Sequence, residues 1–191
     1  HNTKPDSVTD PLNPKRVANW NNPVGAYIHA MHNLLWGDMH WIVKGKKADG
    51  KLNMEGGWQN NRPSSMHHLY RMVENVFEEL DAPGEWFFNA AEQKLYYFPT
   101  NDIDLKRAKV EIVRLKTLID FRGTKAQPVH NVILQGFVFR HAARTFMENK
   151  EQLLRSDWTV SRTASVSFNG ATDCEIADCE FDQVGGNTIL V

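Results

Sequence analysis

One internal repeat constrains the fold of this chain more than any other feature. Val132-Ile-Leu134-Gln-Gly-Phe137-Val-Phe139 and Cys174-Glu-Ile176-Ala-Asp-Cys179-Glu-Phe181 match at four apolar positions with a constant offset of 42 residues, running from 132 to 174 and onward. Each copy holds two short alternating segments around a two-residue corner, Gln135-Gly136 or Ala177-Asp178. Alternation sends every second side chain to one face of a strand, and the corner lets both segments face one interior. A second spacing of 23 relates Val166-Ser-Phe168 to Ile189-Leu-Val191, and Ile119-Asp-Phe121 precedes the first copy as Val166 precedes the second. Coils of about this length stack strand on strand at ~4.8 Å, with inward side chains in ladders. The pattern predicts an all-β fold: right-handed parallel β-helix coils at about 118–139 and 165–181, and the first strand of a third at 188–191. A β-sandwich also alternates, but it does not impose one offset on four positions.

Residues 1–115 have a different texture and are predicted to form a β-rich accessory domain, with the β-helix starting at 116. Turn signals at Asp49-Gly50 and Gly56-Gly57 flank short strands such as Trp41-Ile42-Val43. Val73, Val76, Phe77 and Leu80 form a short 3.6-period stripe, the one helical stretch expected here. Glu85-Trp86-Phe87-Phe88 and Lys94-Leu95-Tyr96-Tyr97-Phe98 read as an antiparallel hairpin across the polar link from Asn89 to Gln93. Asn60, Asn61, Arg62 and Pro63 read as a polar turn. A net charge of -1 leaves no basic footprint for nucleic acid. No apolar run approaches the ~20 residues that cross a bilayer, and His1 to Arg16 contain no signal-like apolar stretch. Cys174 and Cys179 are expected as buried apolar thiols.

Two further stretches carry a resemblance. Val73-Glu-Asn75-Val-Phe-Glu-Glu-Leu-Asp81-Ala-Pro-Gly84-Glu85-Trp86, followed by Leu95-Tyr96-Tyr97-Phe98-Pro99, resembles a signature of bacterial right-handed parallel β-helix repeat proteins. Among these are enzymes similar to glycoside hydrolase family 141, which act on plant or algal polysaccharides as fucosidases or xylanases. Phe137-Val-Phe139-Arg-His141 and Asp178-Cys179-Glu-Phe181-Asp182-Gln-Val-Gly185-Gly186-Asn187 look like their early coils, and the resemblance spans roughly residues 20–191. It implies an accessory domain interrupting the early helix, many later coils, a polysaccharide or oligosaccharide partner and no organic cofactor. It further implies a secreted, periplasmic or cell-surface location. The last strand ends apolar and uncapped at Val191, so the natural protein is expected to continue, the 191 residues alone to be inactive, and exposed coil ends to self-associate.

Glycoside hydrolysis of this kind uses two carboxyl groups, about 5–5.5 Å apart for retention and about 6.5–9.5 Å for inversion. Stacked coils bring such groups together without sequence adjacency. Asp182 is the leading catalytic candidate, because it follows the inward Phe181 and precedes Gly185-Gly186; Asp173 and Asp178 are the alternatives. All three also suit solvated corners. The insertion from Arg140 to Thr163 is the second candidate region. Arg144, Lys150 and Arg155 are candidates to hold a uronate or sulfate, Trp158 to stack on a sugar, and His141 joins them; Glu148, Glu151 and Asp157 are possible acids. The same segment also reads as an amphipathic helix packing through Phe146 and Leu153. His29 and His32 would share one face of a helix, but a zinc site needs a third ligand, and no metal is expected. Trp36, Trp41, Trp58 and Trp86 are either a sugar platform or core. A non-catalytic carbohydrate-binding or surface β-helix, and a polysaccharide lyase with Arg144 or Lys150 as base, remain open beside the hydrolase.

Overall fold

The computed structural model describes residues 10–58, 64–148, 151–152 and 159–191, with backbone alone at 151–152 and 159–160. The polar turn expected at 60–63 lies outside the described residues. The described residues are mostly β with one short helix and fall into two units, His1–Lys109 and Val110–Val191.

In the first unit, helix α1 (Pro14–Asn19) starts where Asn13 accepts a hydrogen bond from Lys15 N at 2.9 Å, with Pro14 in the first turn. Four strands follow: β1 (Tyr27–His32), β2 (Asp38–Lys46), β3 (Leu52–Gly56) and β4 (Met66–Glu74). They form an antiparallel sheet in the order β3-β2-β1-β4. Alternation buries Ile28, Ala30 and His32 of β1 with Met39, Trp41 and Val43 of β2. Two ion pairs fix the chain around α1. Arg16 bonds Glu79, which also accepts from the indole of buried Trp20 at 2.6 Å. Arg71 grips Asp10 through Nε and Nη2 at 2.8 and 2.5 Å.

The expected helix at Val73–Leu80 is absent. Val73 belongs to β4, where it pairs with Ile28, and only Phe77–Glu79 make a single 3₁₀ turn. Pairing with β1 satisfies more backbone groups than one isolated helical turn, and β-branched residues suit it. The hairpin forms as expected, β5 (Trp86–Asn89) against β6 (Lys94–Tyr97), with Trp86 opposite Tyr97. Asn75, at φ +58, clamps it by accepting from Phe88 N at 2.8 Å and donating to Phe88 O at 3.2 Å.

In the second unit the strands are short: β7 (Ile119–Arg122), β8 (Val129–His130), β9 (Ile133–Gln135), β10 (Val138–Arg140), β11 (Glu151–Gln152), β12 (Thr159–Val160), β13 (Ala164–Asn169), β14 (Ala171–Thr172), β15 (Glu175–Ala177), β16 (Glu180–Asp182) and β17 (Asn187–Leu190). The offset of 42 is the register of three parallel pairs: Val129 with Ala171, Leu134 with Ile176 and Phe139 with Phe181. β13 lies between β7 and β17, so Ile119, Val166 and Ile189 form one row. Val166 is wholly buried among Phe121, Phe139, Leu134, Ile176 and Phe181. Phe121 stacks on Phe168 at 4.4 Å, and Phe139 on Phe181 at 4.9 Å. Cys174 and Cys179 join this core but are half-buried and free rather than fully buried, each thiol donating to backbone carbonyls.

Between these strands the corners repeat. Asn131 and Asp173, Gly136 and Asp178, and His141 and Gln183 all have φ between +50° and +74°, and each pair is again 42 residues apart. One left-handed residue between two extended ones turns the chain, so the next strand again sends its apolar residues inward. In the insertion, β11 and β12 pair antiparallel, and the expected helix is absent among its described residues.

Candidate functional site

The parallel register decides what stands beside each candidate carboxylate. Asp182 closes β16, and Arg140 of β10 is its partner in register. Their side chains meet, Nε to Oδ2, at 2.8 Å. The His141 N–H donates to the Asp182 carbonyl at 3.3 Å. From there the chain turns onto the glycines: Gly185 N donates to Ala142 O at 3.0 Å, and Thr145 N to Gly185 O at 3.1 Å. A Cβ on Gly185 would lie 2.6 Å from Arg144 N, so only glycine lets this segment lie so close. Arg140, Asp182, His141 and the exposed Arg144 therefore share one end of the β10–β16 pair.

Asp173 and Asp178 do not join them. They occupy successive left-handed corners at φ +52° and +50°, separated by β15. A three-residue strand spans roughly 10 Å. Asp178 accepts a hydrogen bond from Gln135 Nε2 at 3.0 Å. Asp, Asn and His are the side chains most tolerant of this backbone region. The corner thus gives Asp173, Asp178 and His141 a backbone role that accounts for their residue types.

One layer back, the positions facing Asp173, Asp178 and Asp182 are Asn131, Gly136 and Arg140. None is a carboxylate, so this layer supplies no acid–base pair to the three aspartates. Lys150, Arg155, Trp158 and Asp157 lie outside the described residues, as does the side chain of Glu151. Glu148 pairs with Lys116 at 2.7 Å. Sequence reasoning missed Arg140 and Gln135 as the partners of Asp182 and Asp178. Applying the offset of 42 to the aspartates themselves, rather than only to apolar positions, points to Arg140 and to the corner beside Gln135.

In the first unit the tryptophans divide: Trp41 is core, Trp58 half-buried, and Trp36 and Trp86 are exposed. Trp36 stacks on His32 at 5.1 Å. His29 and His32 sit on a strand, on its opposite faces, not on one helix face. Alternation separates residues three apart in a strand, whereas a helix would join them. Among the described residues no three His, Cys, Asp or Glu side chains come together in a metal-binding group, and no helix is long and apolar enough to cross a membrane.

No family model matches this chain, and no curated protein matches it. A solved structure described as "Glycoside hydrolase" matches with a TM-score of 0.64 at 20% identity. The match covers 86% of this chain and 34% of the other, so the chain spans about a third of that protein's length. At this identity the likeness is one of fold: these residues are folded like part of a glycoside hydrolase.

Proposed function

We propose that this chain is the N-terminal and early-coil portion of a polysaccharide-degrading, glycoside hydrolase-like protein built on a right-handed parallel β-helix, similar to family 141. The observation that carries the reading is the shared 42-residue register of strands and corners, taken with the fold likeness to a glycoside hydrolase. In this reading Asp182 is one carboxylate of the catalytic pair, and its partner lies on a later coil. Arg140 orients Asp182, while Arg144 and His141 line the same end and contact sugar. Lys150, Arg155 and Trp158 are further contacts of the insertion. No organic cofactor takes part. The protein works outside the cytoplasm of a bacterium: secreted, periplasmic or at the cell surface. These 191 residues alone do not hydrolyse their substrate, and they self-associate through β17, which pairs on one side only among the described residues.

One observation favours the non-catalytic alternative, a carbohydrate-binding or surface β-helix. Two of the three aspartates are corner residues, and none has a carboxylate beside it on the neighbouring described layer. A panel of fucose-, xylose- and uronate-containing oligosaccharides tests both readings. This chain should bind at least one of them without releasing reducing sugar, and Asp182→Asn in the longer protein should abolish release. Binding by this chain with no reducing sugar released by the longer protein leaves the binding-module reading, and full release by Asp182→Asn removes Asp182 from the catalytic pair. Hydrolysis by the 191 residues alone refutes the placement of the second carboxylate. Absence of binding across the panel refutes the carbohydrate reading of this segment.

A further inference from the structure

Four titratable side chains lie in line across three strands of the first unit. His29 of β1 and His40 of β2 are directly paired positions. Their Nδ1 atoms are 2.8 Å apart, with the rings edge-on at 4.9 Å. On its far side, His29 Nε2 lies 3.1 Å from Glu74 Oε2 of β4. On its own far side, His40 Nε2 lies 3.3 Å from Asp38 Oδ2. Tyr27 lies beside His29, with ring centroids 6.5 Å apart, and Met72 stands opposite it on β4. Farther along β2 and β3, Lys44 and Glu55 pair with each other at 3.5 Å.

The line can be read as a proton count. A hydrogen bond between two imidazole nitrogens needs one proton and one lone pair. An ionised carboxylate only accepts, so Glu74 and Asp38 each favour an N–H on the nitrogen they face. Two neutral rings hold two protons, enough for the centre and for one of the two carboxylates but not for both. A third proton fills every place and leaves one positive charge between two carboxylates. A fourth sets two N–H groups against each other across 2.8 Å and breaks the central bond.

We propose that His29 and His40 form a proton-sharing latch between β1 and β2, held by one shared proton and opened by a second. The backbone ladder of the two strands remains when it opens, so acidification releases a side-chain tie and loosens this face of the sheet. Both rings are largely sheltered, at 19% and 22% exposure, so water screens the tie only in part. Burial, and after it the His29 charge, pushes His40 below the ordinary imidazole value, against the pull of Asp38 and Glu74. A histidine that resists protonation when folded gives stability that is full above pH ~6.5 and is lost as pH falls. The latch does not depend on the carbohydrate reading.

Two measurements test it, both on the whole chain. In the first, the ring nitrogens of ¹⁵N-labelled histidine are followed by NMR from pH 7.5 to 4.5. The His40 ring nitrogens should shift in two separated steps, the central hydrogen bond surviving the first and breaking in the second; a single-step change overturns the latch. In the second, urea unfolding is followed by tryptophan fluorescence, since five of the six tryptophans lie in residues 1–109. His40→Gln keeps a donor for His29 but takes no proton. From pH 7 to pH 5 the unfolding constant should rise about fivefold more in the wild type than in His40→Gln, the equivalent of one hydrogen bond of ~1 kcal/mol. An equal rise in both overturns the proposal. If His40→Gln does not fold, the NMR titration decides.

Discussion

The left-handed corner at Asp178 makes a demand on sequence that can be separated from any role in chemistry. Its φ is +50°, and the stacked corner one layer back is Gly136 at +74°. Glycine is therefore already accepted in this column. A side chain without local polar tolerance costs roughly 1–2 kcal/mol in this region, and a β-branched one sits at the upper end. Asp178→Val also removes the exposed hydrogen bond from Gln135 at 3.0 Å, worth at most about 0.5 kcal/mol at the surface. The sum is about 2 kcal/mol, or roughly thirtyfold in the unfolding constant. Asp178→Asn keeps the tolerance, and Asp178→Gly exchanges strain for unfolded-state entropy, so each should stay within about 1 kcal/mol of the wild type. The assay is thiol labelling under urea, because both cysteines of the chain lie in the second unit, half-buried beside this corner. Equal labelling rates for Asp178→Val and Asp178→Asn, or a glycine variant as weak as the valine one, would refute the corner argument.

Three other perturbations follow from the same structure. Gly185→Ala sets a methyl group 2.6–2.7 Å from the backbone of Ala143 and Arg144, so it should cost about 1–3 kcal/mol in thermal unfolding, whereas Gly136→Ala meets nothing within 4 Å and should cost only its φ strain. Phe139→Ala empties a buried position stacked on Phe181 and should cost about 3–5 kcal/mol, read by the same thiol labelling. Burial raises the carboxyls of Asp10 and Glu79, but the bonds from Arg71 and Leu12 N, and from Arg16 and Trp20, outweigh it and hold both below the ordinary range. Their contribution is complete above pH ~4 and is lost as pH falls through the lowered values. An acid titration followed by tryptophan fluorescence should therefore show the first unit weakening below pH ~4, and less so in Glu79→Gln, which starts weaker by about 1–2 kcal/mol.

The second unit was legible in sequence because its core is written in a column. Val132, Leu134 and Phe139 repeat as Cys174, Ile176 and Phe181, and these ladders set the register; Phe137, the fourth repeated position, is half exposed where its counterpart Cys179 packs on the core. The corners were legible in principle too. Asn131, Gly136 and His141, like Asp173, Asp178 and Gln183, recur every five residues, and most are types that tolerate a left-handed backbone. The aspartates were readable as solvated corners, but the left-handed backbone that Asp173, Asp178 and His141 share was not. The first unit was less legible because its order is non-local. Val73 to Leu80 has a helical stripe, but β1, more than 40 residues earlier, claims Val73 for a strand. The His29–His40 pairing depends on the hairpin register between β1 and β2, which spacing within His29-Ala-Met-His32 does not contain.

Asp182 is the leading catalytic candidate of the carbohydrate reading, and its pairing with Arg140 gives that candidacy a measurable consequence. With side-chain exposures of 50% and 34%, the pair lies at the surface, where such pairs contribute about 0.2–1 kcal/mol. A double-mutant cycle of Arg140→Ala and Asp182→Asn should therefore return a coupling of less than about 1 kcal/mol in stability. So weak a tie does not by itself require a charged pair at this point in the ladder, where Glu180 and Val138, one row away, form no such pair. If the pair exists to hold Asp182 toward a sugar, Arg140→Ala should weaken oligosaccharide binding nearly as much as Asp182→Asn, while leaving unfolding almost unchanged. A coupling above about 2 kcal/mol, with binding intact in both variants, would make the pair a structural tie and remove Asp182 from the site.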